Sequence, residues 1–255
     1  GEDFEEEHRA VLSTRAIDLS GVVVVPGRCF RWKGTYGKDF GDARTLDTQL
    51  NVFADFRPHL PVAHRRAPYL FLGNIDPRLQ LEVLSQMEAR PTWVALDTMN
   101  FWIEGSRDPL MEVLKSVDVL LVNEAECRSL SGEHNLVKAY ARIRELGPSV
   151  LVVKRGEHGA LVFWSEGLFA LPAFPLFEVV DPTGAGDTFA GGFLGHLANT
   201  GSLDPAHLKH ALINGTVMAS FTVEGFGLER LATVTDSEVK DRTRAFFSMI
   251  STDGL

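Results

Sequence analysis

Between residues 69 and 153 the chain repeats one rhythm, a short apolar run followed by a stretch with helical spacing. The runs are Tyr69-Leu-Phe-Leu72, Trp93-Val-Ala-Leu96, Val119-Leu-Leu-Val122 and Val150-Leu-Val-Val153. Each is apolar on both parities, so both faces of the strand must be covered, as in a parallel sheet between helical layers. The intervening stretches predict helices over 77–89, 107–116, 124–131 and 135–146, the crossovers that parallel strands require. Two hairpin strands follow near 160–164 and 168–171. After residue 185 the pattern is mainly helical, over 185–200, 205–223 and 236–250, with glycine or proline between.

The chain before residue 69 reads differently. Residues 3–16 predict a helix with Phe4, Val11 and Leu12 on its apolar side, and Val22 to Val25 predict a strand. Phe30, Trp32 and Tyr36 share one parity while Arg31, Lys33 and Thr35 share the other, which is strand spacing. With Arg44 to Asn51, and a turn around Gly37 and Gly41, this region predicts a small antiparallel lid over residues 20–51. The expectation is one α/β domain over 1–255 with the lid inside it, its three layers formed by a mainly parallel sheet flanked by helices.

With 255 residues and 45% hydrophobic content the chain can bury one large core. Its 25 Lys and Arg against 34 Asp and Glu leave a net charge of -9, which excludes a broad basic surface for nucleic acid or anionic lipid. A small anion is not excluded, because backbone amides, a lysine and a divalent metal supply local positive potential. The two cysteines, Cys29 and Cys127, lack any zinc spacing and read as reduced thiols. No run has the length of a membrane span and the first residues are acidic, so a cytoplasmic protein is expected.

The segment that carries chemistry is Val179-Val-Asp-Pro-Thr-Gly-Ala-Gly-Asp-Thr-Phe-Ala-Gly-Gly-Phe193, read as a strand end, a glycine turn and a helix. Amides of Gly184, Ala185 and Gly186, with the positive end of the helix, make a nest for a phosphoryl group. Asp187 beside it is placed to accept a proton from a hydroxyl. The plainer alternatives are a helix start with an acidic residue favoured by the dipole, and a purely structural turn that packs the helix against the sheet through Ala190, Gly191 and Gly192. Neither a G-x-x-x-x-G-K-[ST] loop nor a dinucleotide G-x-G-x-x-G is present.

Asp181-Pro-Thr-Gly-Ala-Gly-Asp187 resembles the D-T-x-G-A-G-D signature of the ribokinase-like (PfkB) kinases, with Pro182 in place of threonine. The resemblance implies that Asp187 is the catalytic base and that Gly184, Ala185 and Gly186 form the anion hole. It also implies a kinase that uses ATP and magnesium to phosphorylate a sugar or nucleoside. Asn123-Glu-Ala-Glu126 resembles the family's N-x-x-E motif, which implies that Asn123 and Glu126 hold the water shell of magnesium; the same spacing also makes a capping box. Lys154-Arg-Gly-Glu-His-Gly159 resembles the T-x-G-x-x-G turn at the nucleotide, with Gly156 and Gly159 kept and Lys154 replacing threonine. Lys154 either meets a phosphate or belongs to a solvated Lys-Arg pair. Asn214 and Gly227 match positions that contact adenine and border a monovalent cation such as K+, for which Asp181 and Thr183 are further candidates; the alternatives are a surface asparagine and a helix stop. Asp97-Thr-Met-Asn100, with one residue more between its ends, is similar to the family's D-x-N near the acceptor, while Trp102 and Asp108 read as structural.

The family's opening G-G-x-x-x-N segment has no match, and Gly1-Glu-Asp-Phe resembles a later part of the pattern, so the chain is expected to be incomplete at its N-terminus. Two expectations follow from that. One is association of two copies through the lid or an exposed sheet edge. The other, set against the active kinase, is a non-catalytic nucleotide-binding or regulatory member of the family.

Overall fold

The alternation of aromatic and polar residues does make a strand, β1 (Arg31–Thr35), which pairs antiparallel with β2 (Arg44–Gln49). A register shift between Lys33 and Gly34 bulges the ladder where the Trp32 ring folds back over Gly34, against the space a Cβ would need. Upstream, α1 (Glu6–Ser13) carries Glu6 and Glu7 in its first turn, at the positive end of the helix dipole. Val22 to Val25 do not form the expected strand. They run irregularly with Val23 70% exposed, since β-branched residues without an apolar face to pack on have no reason to pair. The computed structural model describes residues 1–37 and 44–251, so Gly41 of the expected lid turn lies outside the described residues. Two compact units result, Gly1–Arg66 with Glu82–Ala89, and Ala67–Leu81 with Arg90–Leu255.

The second unit holds the repeating rhythm. From residue 69 the elements in order are β3 (Tyr69–Leu72), α2 (Pro77–Gln86), whose residues from Glu82 on fall in the first unit, β4 (Trp93–Asp97), α3 (Asn100–Gly105), α4 (Arg107–Leu114), β5 (Val119–Asn123), α5 (Glu124–Ser131), α6 (Leu136–Leu146) and β6 (Val150–Lys154). After them come β7 (Ala160–Trp164), β8 (Gly167–Leu171), α7 (Ala185–Thr200), α8 (Pro205–Thr222), α9 (Glu229–Thr233) and α10 (Asp236–Ile250). The sheet order is β3-β4-β5-β6-β7-β8, parallel from β3 to β6 and antiparallel through β7 and β8.

Strand parity divides the core into layers. Trp93, Ala95, Val119, Leu121, Val150 and Val152 pack with Phe189, Phe193, Leu212, Val217 and Phe221 of α7 and α8. Val94, Leu96, Leu120, Val122, Leu151 and Val153, of the opposite parity, are fully buried on the other face, where α5 and α6 pack on β5 and β6. The sequence pattern missed α3 and α9, each shorter than two turns and so without readable periodicity. No strand forms at Val179 and Val180. The Val180 and Asp181 amides instead donate to the Val223 carbonyl at 2.8 and 3.4 Å, so this extended segment closes the end of α8. Both cysteines are free thiols, and burial pushes that of Cys127 up to about 12. Among the described residues no helix is long and apolar enough to cross a membrane.

Candidate active site

Parallel strands end on one side of their sheet, and β4, β5 and β6 end there with Asp97, Asn123 and Lys154. Lys154 stands opposite Asn123 in the ladder, and Asp97 opposite Leu121. The lysine reaches across the end of β5, and its Nζ lies 3.0 Å from Asp97 Oδ2, with the side chains only 17% and 8% exposed. It is therefore not a solvated residue at a hairpin entrance. Arg155, its neighbour, turns elsewhere and pairs through Nε with Glu124 Oε2. The Thr98 amide donates to Asp97 Oδ1 at 2.9 Å. Burial pushes the Asp97 pKa above the usual carboxylate range; Lys154 pulls it down, the charge of Asp187 pushes it up, and burial prevails.

The glycine turn comes against this pair. Gly184 caps α7 with φ +82°, the left-handed region that favours glycine, and the Ala185 amide donates to the Pro182 carbonyl at 3.1 Å. Pro182 is accommodated because the turn uses its carbonyl. Thr188 N to Gly184 O, 2.9 Å, is the first helical bond, which leaves the Gly186 and Asp187 amides with no acceptor inside the helix. The Thr183 amide donates to Asp181 Oδ1 at 2.9 Å, an Asx turn that shapes the approach. A Cβ on Gly186 would stand 3.3 Å from Lys154 Nζ, so the ammonium lies against the first turn of α7. Asp187 itself is exposed. Asp97, Lys154, Gly186 and Asp187 thus form one group.

Other expected residues are placed variously. Asn123 and Glu126 make the capping box in full: Asn123 Oδ1 accepts from the Glu126 amide at 2.8 Å and Glu126 Oε2 accepts from the Asn123 amide at 2.7 Å. Asn100 begins α3 with its Oδ1 buried and without a hydrogen-bond partner, as an atom awaiting a ligand would be. Gly156, at φ +55°, has open space around it. Gly159 owes its identity to packing, since the Leu171 and Pro172 backbone occupies the place of a Cβ. Asn214 is not brought to the group. Its Nδ2 donates to His196 Nδ1 at 3.0 Å, and His196 lies nine residues beyond Asp187 on α7, about 13 Å of helix rise. Gly227 sits in an exposed turn at φ +58°. One residue escaped the sequence reading: Thr222, at the end of α8, is buried with an unpartnered Oγ1, and its methyl faces Gly184. Nothing in the local sequence pairs the end of α8 with that turn.

No group of three or more His, Cys, Asp or Glu among the described residues could hold a metal ion.

Residues 1–233 match the model of the pfkB family of carbohydrate kinases. The chain belongs to this family. Among pfkB relatives, a cytidine kinase of Thermococcus kodakarensis is 31% identical over 198 residues, 76% of this chain and 70% of that one. A nucleoside kinase of Methanothermobacter thermautotrophicus is 27% identical, over 94% of this chain and 75% of its own. In structure, a putative Ribokinase II from E. coli, solved in complex with ATP and Mg2+, matches with a TM-score of 0.74 at 21% identity over 94% of this chain and 78% of that one. The fold is ribokinase-like, as the signature implied.

Proposed function

We propose that this pfkB family member transfers the γ-phosphoryl group of ATP to a hydroxyl of a sugar or nucleoside, with Asp187 as the base. The observation that supports it most is the meeting of Asp187, the open amides of α7 and the Lys154 ammonium at the carboxyl ends of parallel strands. The Gly186 and Asp187 amides would take the charge that develops on the phosphoryl oxygens. Asp187, exposed at the first turn, would hold the acceptor hydroxyl and receive its proton as the new bond forms. Magnesium, when bound, supplies charge neutralisation at the phosphates, and Asn123 and Glu126 would hold its water shell. The unpartnered Asn100 Oδ1 would serve the acceptor, and Gly156 and Gly159 the nucleotide. Asp181 and Thr183 would border a monovalent cation, with Gly227, and Asn214, bonded to His196 through Nδ2, would meet adenine. Association through the lid or the β3 edge belongs to the same reading and would show as a dimer in sedimentation.

The experiment is acceptor-dependent ADP release with ATP and magnesium across a panel of sugars and nucleosides. Asp187→Asn should lower kcat by about 1000-fold or more while MgATP binding persists. Binding of ATP with no transfer to any acceptor would favour a regulatory protein instead.

A further inference from the structure

The pair formed by Lys154 and Asp97 stands where its stability value is small. A buried ion pair offsets little more than its own desolvation, and apolar replacements of similar size are often as stable. A cation is also disfavoured at the N-terminal end of a helix, where the dipole is positive. Yet the Lys154 ammonium, mostly buried, lies against Gly186 in the first turn of α7 and 3.0 Å from Asp97 Oδ2. The other Asp97 oxygen accepts the Thr98 amide at 2.9 Å, so both oxygens already serve this chain. A position poor for a lone cation becomes favourable once an anion sits at the same amides, because ammonium and helix end then attract one charge.

Resting on the kinase reading above, we infer that Asp97 and Lys154 act as a couple, in which Asp97 holds the Lys154 ammonium at the Gly186 and Asp187 amides to meet the phosphoryl group in transfer. Lys154 touches the phosphoryl oxygens. Asp97 acts through it and is a positioning residue, not a grip on the acceptor. In the transfer the bond from the γ-phosphorus to the ADP oxygen breaks and the bond to the acceptor oxygen forms. The acceptor proton goes to Asp187, and Lys154 keeps its charge throughout.

The test compares the affinity of the full chain for MgADP alone and for MgADP with aluminium fluoride, a mimic of the transferring phosphoryl group, by calorimetry. Lys154→Met should lose about 100-fold of the fluoride-dependent gain while affinity for MgADP alone changes less than about 3-fold. Asp97→Asn should lose about 10-fold, and Lys154→Arg should restore part of what methionine loses. Adding Asp97→Asn to Lys154→Met should cost nothing further, because Asp97 acts only through the lysine. In turnover, both single variants should lower kcat and leave the acceptor KM in place. If Lys154→Met does not fold, the double variant removes both charges together and is compared with Asp97→Asn for the same fluoride gain. The couple is overturned if that gain survives removal of the lysine, or if Asp97→Asn raises acceptor KM at constant kcat. Asp187→Asn separates the two ideas. Full turnover in that variant sinks Asp187 as the base, absence of acceptor-dependent ADP release from the wild-type chain sinks the kinase reading, and loss in Asp187→Asn beside a normal kcat in Lys154→Met sinks only the couple.

Discussion

At Gly184 and Gly186 the same residue type is needed for different reasons. Gly184 holds φ +82°, and a Cβ added there would meet nothing nearer than the Thr222 methyl at 3.9 Å, so its requirement is conformational. Gly184→Ala should therefore lower stability by about 1–2 kcal/mol, measured by urea denaturation, through the left-handed backbone alone. Gly186 has no such φ, and its added methyl would meet only the far end of the Lys154 side chain. Gly186→Ala should fold with little loss and show its effect on transfer instead. The turn and Asp187 were readable because their residues lie together in sequence. The role of Lys154 was not, because its partner Asp97 is separated from it by β5 and four helices.

Two helices, α7 and α8, run antiparallel at close range, and glycine sets how close. A Cβ on Gly192 would stand 2.9 Å from the Asn214 carbonyl oxygen, and one on Gly215 would stand 2.9 Å from that of Phe189. Gly192→Ala and Gly215→Ala should each cost about 1–3 kcal/mol by overpacking. Gly191 and Gly195 face open space, so alanine there should instead stabilise by about 0.5–1 kcal/mol. Thermal melts of the four variants decide the matter. Thus Gly192 has a packing role, but against α8 and not against the sheet as the plainer sequence reading had it, and Gly191 has none.

At the start of α10, Thr235 and Glu238 form a capping box, and Arg230 Nη2 lies 2.6 Å from Glu238 Oε1. The Thr235 backbone amide, then Arg230, lower the Glu238 pKa from 4.5 to about 2. A carboxylate depressed on folding stabilises above its unfolded pKa and loses that contribution as pH falls toward its folded value. Glu238→Gln should accordingly be less stable than wild type above pH 4.5, with the gap closing as pH drops toward about 2. A denaturation series across that range reads it directly; a constant gap would sink the assignment.

Burial is uneven across the molecule. No described residue of the unit Gly1–Arg66 with Glu82–Ala89 is buried, whereas β4, β5 and β6 are almost wholly so. Amides of β1 and β2 should exchange hydrogen through low-energy local opening, and those of β4 to β6 only through openings near the global unfolding free energy. Exchange followed by mass spectrometry should separate these populations by about 100-fold or more in rate. The same unevenness explains why the strands from β3 to β8 were placed within a residue or two, as β1 and β2 were, while the strand expected at Val22 to Val25 did not form. A strand apolar on both faces has one place to go, between two layers, while Val22 to Val25 depend on a neighbour that local pattern does not name.

Local chemistry therefore settled the parallel sheet, the glycine turn with Asp187 beside it in sequence, and the Asn123–Glu126 capping box, since periodicity, φ preference and short-range hydrogen bonds all act within a few residues. The Lys154–Asp97 pair, the Thr222 methyl behind Gly184 and the hydrogen bond of Asn214 to His196 were decided only in three dimensions. Each joins side chains from separate elements, and which of them meet depends on strand order and helix packing.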